Sequence, residues 1–190
     1  MGMNTPNKLT LARVILVPVF LFFFLMSGIP GHYTIAFLVF ITASFTDFLD
    51  GHLARKYKLV TTFGKFLDPL ADKMLVTCAL LCLMEIRLCP VVAVATIILR
   101  DTAVSALRML AASDGTVIAA AQSGRIKTAV QMVVTSVLLF VLGVSDFIPA
   151  VNGAIFSIIA QIACWILAAI TLYSGIEYLY KNRQVFLKSK

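Results

Sequence analysis

Apolar residues run along this chain in six long blocks, near Leu11–Met26, Tyr33–Leu53, Leu70–Ile86, Pro90–Leu110, Ile126–Val144 and Val151–Tyr180. Each block supplies about 20 helical residues, the length that crosses about 30 Å of hydrocarbon. In lipid the backbone must satisfy its own hydrogen bonds, so the blocks are predicted to be helices. Breakers mark the connections: Ser27-Gly28-Ile29-Pro30-Gly31, Gly64, Pro90, Ser113-Asp114-Gly115, and Pro149 with Gly153. No repeat or linker is visible, so residues 1–190 are expected to form one domain, an all-α integral membrane protein built as a six-transmembrane-helix bundle.

Composition strengthens the membrane reading. The 190 residues are 61% hydrophobic and 13% charged, where a soluble domain carries roughly 25% charged residues. The first block is read as a membrane helix and not a cleaved leader, because five more blocks follow and no small-x-small site ends it. Basic residues are placed unevenly. Lys8 and Arg13 precede block one, Arg55, Lys56, Lys58, Lys65 and Lys73 lie between blocks two and three, and Arg108, Arg125 and Lys127 flank the fourth connection. Lys181, Arg183, Lys188 and Lys190 form the tail, whereas the opposite connections carry only Arg87. Both termini are therefore expected in the cytoplasm. The net charge of +7 follows from that topology and from attraction to anionic headgroups, and no nucleic acid partner is needed to explain it.

The cysteines and histidines suggest little chemistry. Cys78, Cys82, Cys89 and Cys164 are read as small buried hydrophobes, and with His32 and His52 they make no zinc-like spacing. Most of the aromatic residues read as packing or lipid-facing groups, with Tyr33, Tyr173, Tyr178 and Tyr180 near the interfaces.

The acids are more informative. Of nine Asp and Glu, four are Asp47, Asp50, Asp68 and Asp72. Asp47 and Asp50 are spaced i, i+3, on one face of the second helix. Asp68 and Asp72 are spaced i, i+4 at the expected start of the third, with Pro69 suited to a first turn and the helix dipole favouring carboxylates there. Two readings are open at this point. Four neighbouring carboxylates repel unless hard divalent cations sit among them, or they pair with Arg55, Lys65 and Lys73 at headgroup depth. Gly51 and Ala54 fall on the same helical side as the first two acids, leaving room against the backbone, and Gly64 would let the connecting loop approach closely. Arg55 is placed either to meet diphosphate oxygens or to mark the interface.

Read in full, the segment is Asp47-x-x-Asp50-Gly51-x-x-Ala54-Arg55, eight residues, Gly64, three residues, Asp68, three residues, Asp72. It resembles the signature of the CDP-alcohol phosphotransferase family at all eight fixed positions. The resemblance implies that the four Asp hold two divalent metal ions, Mg²⁺ or Mn²⁺, which grip the pyrophosphate of a CDP-linked lipid. Asp72 resembles the family's general base, taking a proton from the acceptor hydroxyl that attacks the lipid-side phosphorus and expels CMP. Pro6-Asn7-Lys8-Leu9-Thr10-Leu11-Ala12-Arg13 is similar to the opening of the bacterial phosphatidylglycerophosphate synthase branch, with Asn7 and Thr10 as candidates to cap the nucleotide or as an ordinary helix entry. Leu99-Arg100-Asp101 through Arg108, and Ser123-Gly124-Arg125-Ile126-Lys127-Thr128 with Gln131, resemble the same branch, although Asp101 stands where some members carry Glu.

That branch implies CDP-diacylglycerol as donor, sn-glycerol 3-phosphate as acceptor, phosphatidylglycerol phosphate and CMP as products, and a homodimer in the bacterial plasma membrane with a cytoplasm-facing active site. Inositol phosphate, serine or a phospholipid are alternative acceptors, and a polar-lined transporter is the alternative class. Arg100 and Asp101 lie in the middle of block four, where ionisable groups usually face a cavity or one another. Asp101 and Arg108 share a face with Ser105 between them, so a polar wall on a cytoplasm-facing cavity is expected. Arg100, Arg108, Arg125 and Lys127, with Gln131 beside Lys127, are the candidate donors to an acceptor phosphate. Glu85, Asp114, Asp146 and Glu177 have no motif context and read as helix-end or loop charges.

Overall fold

A computed structural model describes the backbone of residues 5–57, 62–113 and 122–188, and the side chains of residues 12–46, 73–111 and 122–183. The described chain is all-helical: α1 (Thr5–Leu25), α2 (His32–Tyr57), α3 (Thr62–Glu85), α4 (Val91–Ser113), α5 (Gln122–Ser145), a short 3₁₀ turn at Pro149–Val151, and α6 (Ala154–Lys188). The six expected helices are present. Among the described residues, α5 and the Ala154–Arg183 part of α6 are long and apolar enough to cross a membrane.

The third helix begins earlier than the block pattern indicates. Phe63, Phe66, Leu67 and Leu70 recur at helical spacing, and α3 starts at Thr62. Gly64 therefore lies in the helix and not in a loop, and Asp68, Pro69 and Asp72 lie beyond the first turn. The expected stabilisation of these acids by the helix N-terminus does not apply, since that effect fades within one turn.

Contacts divide the chain into two compact units, Met1–Leu83 with Thr135–Phe156, and Met84–Val134 with Ser157–Lys190. In the first, α1 packs on α2 through Phe20 against Phe40, with ring centroids 6.1 Å apart, and Phe24 against Tyr33 at 5.2 Å. Phe37 meets Phe140 of α5 edge-on. Arg13, expected as a basic flank, is instead inside α1 and buried. Asp146, which had no assigned partner, accepts hydrogen bonds from the Thr34 amide at 2.8 Å and the Thr34 hydroxyl at 3.1 Å. That hydroxyl has one proton and a second acceptor, the Gly143 carbonyl, at 2.8 Å. A Cβ on Gly143 would lie 3.2 Å from the Thr34 Cα, so the absence of a side chain permits this approach. Asp146 thus satisfies an amide in the first turn of α2 that the helix itself leaves open. Asp146→Ala is expected to destabilise the protein by about 1–2 kcal/mol, readable as a lowered Tm in detergent, while Asp146→Asn loses less.

In the second unit, Ala93, Val94 and Ile97 of α4 and Leu167 and Ala168 of α6 are buried. Cys89 and Cys164 are joined as a disulfide with Cα atoms 5.8 Å apart. This corrects the reading of all four cysteines as separate apolar fillers: partners 75 residues apart leave no local spacing to see. Cys78 and Cys82 remain thiols on α3. The outer surface of α6 is apolar, with Ile155, Ile158, Ile162 and Ile176 all exposed, whereas its Thr171 and Ser174 are buried. A soluble protein distributes these residue types the other way round. Apolar outside and polar inside is the arrangement suited to lipid.

Candidate active site

The backbone of the acidic signature is helical. Asp47, Asp50, Gly51, Ala54 and Arg55 lie in α2, and Gly64, Asp68 and Asp72 in α3. Both acid spacings thus fall within continuous helix, as expected. The side chains of these residues, and those of Asn7 and Thr10 on α1, lie outside the described residues.

The second unit contains a polar cluster. Arg100 donates from Nη1 to Asp101 Oδ1 at 3.2 Å, and from Nη2 to Ser174 Oγ at 2.7 Å. Lys127 Nζ donates to Asp101 Oδ2. Ser174 Oγ lies 3.4 Å from Ser123 Oγ. The Lys127 side chain is only 3% exposed, and a charge so buried costs several kcal/mol unless it is paired. Asp101 meets that requirement, and by offering one oxygen to each cation it links α4 to α5. Arg100 and Lys127, placed together by sequence reasoning, are together in space.

Arg108 takes a different partner. Its guanidinium carbon lies 5.3 Å from the centre of the Tyr178 ring, within the range of cation–π attraction. Tyr178, expected at the membrane interface, is buried. Ser105, expected on the polar wall, donates its hydroxyl to the Asp101 carbonyl one turn back in α4. Arg125 is exposed and lines a shallow open depression with Gln122, Ile126 and Ala129. Gln131 is buried, as is Lys127 one turn before it.

Helix α6 supplies what the sequence reading missed. Ser174 holds Arg100, Tyr178 underlies Arg108, and Gly175 makes room: a Cβ there would lie 2.9 Å from Arg100 Cγ. Glu177 pairs with Lys181 on the same helix and reaches Ser123. A faint signal was present in the sequence, because Ser174, Gly175 and Tyr178 recur at helical spacing inside a mainly apolar block. Among the described residues, Asp101 takes both Arg100 and Lys127, while Arg108 lies against Tyr178. Among the described residues, the Nε groups of Arg100 and Arg108 and the Tyr178 hydroxyl are buried without a hydrogen-bond partner. Buried donors are normally satisfied, so a cationic cluster with donors to spare suits an anion rich in oxygen acceptors.

Comparison with known proteins is decisive for the family. A profile described as CDP-alcohol phosphatidyltransferase matches residues 3–173. The chain belongs to that family. Relatives named CDP-diacylglycerol–glycerol-3-phosphate 3-phosphatidyltransferase include one from Bacillus subtilis, 40% identical over 94% of this chain and 95% of the relative. Another, from Rickettsia felis, is 34% identical over 96% and 97%. A Mycobacterium tuberculosis protein named probable phosphatidylglycerophosphate synthase is 37% identical, covering 92% of this chain and 79% of its own. The expected family is thus confirmed, and the chain is a transferase. Members of the family generally depend on divalent metal. Among the described residues no group of three or more His, Cys, Asp and Glu could hold a metal ion, and the four signature acids stand outside that set.

Proposed function

We propose that this protein transfers the phosphatidyl group of CDP-diacylglycerol to sn-glycerol 3-phosphate, giving phosphatidylglycerol phosphate and CMP. The observation that carries the reading is full-length similarity to relatives named for that reaction, coupled to a complete eight-position signature on α2 and α3. Asp47, Asp50, Asp68 and Asp72 would hold Mg²⁺ or Mn²⁺, because four carboxylates are a hard oxygen donor set. Such ions would neutralise diphosphate charge as the bond to CMP breaks. Gly51, Ala54, Arg55 and Gly64 would admit and grip the CDP group, with Asn7 and Thr10 near its nucleotide. Asp72 takes the proton from the acceptor hydroxyl as its oxygen bonds to the lipid-side phosphorus. Arg100, Arg108 and Lys127 bind the acceptor phosphate, and Arg125 lies at the entrance.

A cytoplasm-facing polar cavity in a six-span membrane domain, acting as a homodimer in the plasma membrane, completes the reading. Purified protein given CDP-diacylglycerol with each acceptor in turn, and products identified by mass, tests it. Phosphatidylglycerol phosphate should form fastest, and preference for inositol phosphate or serine would reassign the acceptor. A transporter would release no CMP.

The orientation has its own test. Single cysteines introduced at Gly31 and Asp146 should react with an impermeant reagent added to intact cells, and one at Lys58 should be protected. Labelling of position 58 from outside overturns the proposed topology.

A further inference from the structure

Two features of α6 have no role in the reaction as described so far, and both converge on Arg100. Ser174 Oγ accepts from Arg100 Nη2 at 2.7 Å, and Ser174 is buried. Gly175, the next residue, faces the aliphatic part of the same side chain, with a notional Cβ 2.9 Å from Cγ and 3.3 Å from Nε. The opposite edge of the guanidinium is held by Asp101 at 3.2 Å, whose other oxygen takes Lys127. Arg100 is thereby fixed at both terminal nitrogens and along its stem, while its Nε–H is buried with no acceptor among the described residues.

An Arg side chain carries about 2 kcal/mol of rotamer entropy. A guanidinium held in one orientation before the ligand arrives does not lose that freedom on binding, which raises affinity without a new contact. Ser174 and Gly175 are suited to this: one is a short acceptor, the other leaves out the atom that would displace the stem.

We propose that Ser174 and Gly175 are positioning residues that preset Arg100, together with Asp101, to receive the phosphate of the acceptor. The inference rests on the assignment of Arg100 to acceptor phosphate made above. Neither residue need touch the acceptor; both act through Arg100, and that separates them from residues that only pack helices.

The test is a double-mutant cycle on the full-length enzyme in mixed micelles, reading KM for glycerol 3-phosphate and, separately, for CDP-diacylglycerol. Arg100→Ala, Ser174→Ala and Gly175→Ala are each expected to raise the acceptor KM, by about tenfold for Ser174→Ala, which removes a hydrogen bond to a charged group. The KM for CDP-diacylglycerol should move less than about twofold, within the usual error of additivity. In the Arg100→Ala background, Ser174→Ala and Gly175→Ala should add almost nothing, because the group they position is gone. Ser174→Ala adds no bulk, so it decides the matter if Gly175→Ala fails to fold. Full additivity, or an unchanged acceptor KM in Ser174→Ala while Arg100→Ala raises it, overturns the positioning role and leaves the acceptor assignment standing. An unchanged acceptor KM in Arg100→Ala itself removes that assignment, and the inference with it.

Discussion

Asp47→Asn is expected to abolish turnover and to weaken CDP-diacylglycerol binding, whereas Asp72→Asn nearly abolishes turnover and keeps more of the binding than Asp47→Asn does. The two acids belong to one signature but do different work in the proposed mechanism. A residue that holds metal also positions the diphosphate, and losing several kcal/mol of charge neutralisation lowers the rate roughly a thousandfold or more. A general base acts on the proton of the acceptor hydroxyl, and its removal costs about 10²- to 10⁴-fold with little effect on the ground state. Asp50→Asn and Asp68→Asn should follow Asp47→Asn. Chelation should inactivate the wild type, and added Mg²⁺ or Mn²⁺ should restore it. Turnover by single-exponential formation of CMP, together with equilibrium binding of CDP-diacylglycerol, separates the two classes. Equal loss of binding in the Asp47 and Asp72 variants would leave Asp72 without a distinct role.

Lys127→Ala should raise the KM for glycerol 3-phosphate by about 10- to 100-fold, the range for removing a hydrogen bond between charged groups. The acceptor is a dianion near neutral pH, and Lys127 brings its ammonium into a nearly dry position where Coulomb attraction is poorly screened. Some loss of kcat should accompany the change if the phosphate orients the attacking hydroxyl. Arg108→Lys should also be impaired, because a compact ammonium replaces neither the guanidinium's contact with the Tyr178 ring nor a two-pronged grip on phosphate. Affinity for CDP-diacylglycerol should change much less. Normal acceptor kinetics in both variants would show that the cationic cluster serves only the structure of the second unit.

The helices were legible in the sequence because long apolar blocks declare themselves by length and hydropathy, and all six blocks became helices. Their ends were less so. Gly64 and Lys65 looked like a loop, yet the helix tolerates a glycine at a cost of about 1 kcal/mol, and the apolar stripe from Phe63 continues into α3. The acidic signature could be read because its residue types and spacings are local. Ser174, Gly175 and Tyr178 showed only their helical spacing, since their roles depend on Arg100 and Arg108 across the fold. The same holds for Cys89 with Cys164, and for Asp146, whose partner Thr34 lies on another helix. Sequence pattern exposes what a residue shares with its neighbours in the chain and hides what it shares with distant helices.

The bond between Asp146 and Thr34 bears on how the protein is made. The two residues are 112 positions apart. At about 5–20 residues per second a ribosome reaches Asp146 roughly 6–22 s after Thr34. During that interval the Thr34 amide, in the first turn of α2, is without this acceptor and must find another. The entry of α2 is therefore completed late, by a residue just past α5, and a nascent chain arrested before residue 146 should expose it to amide exchange and proteolysis that the finished protein resists.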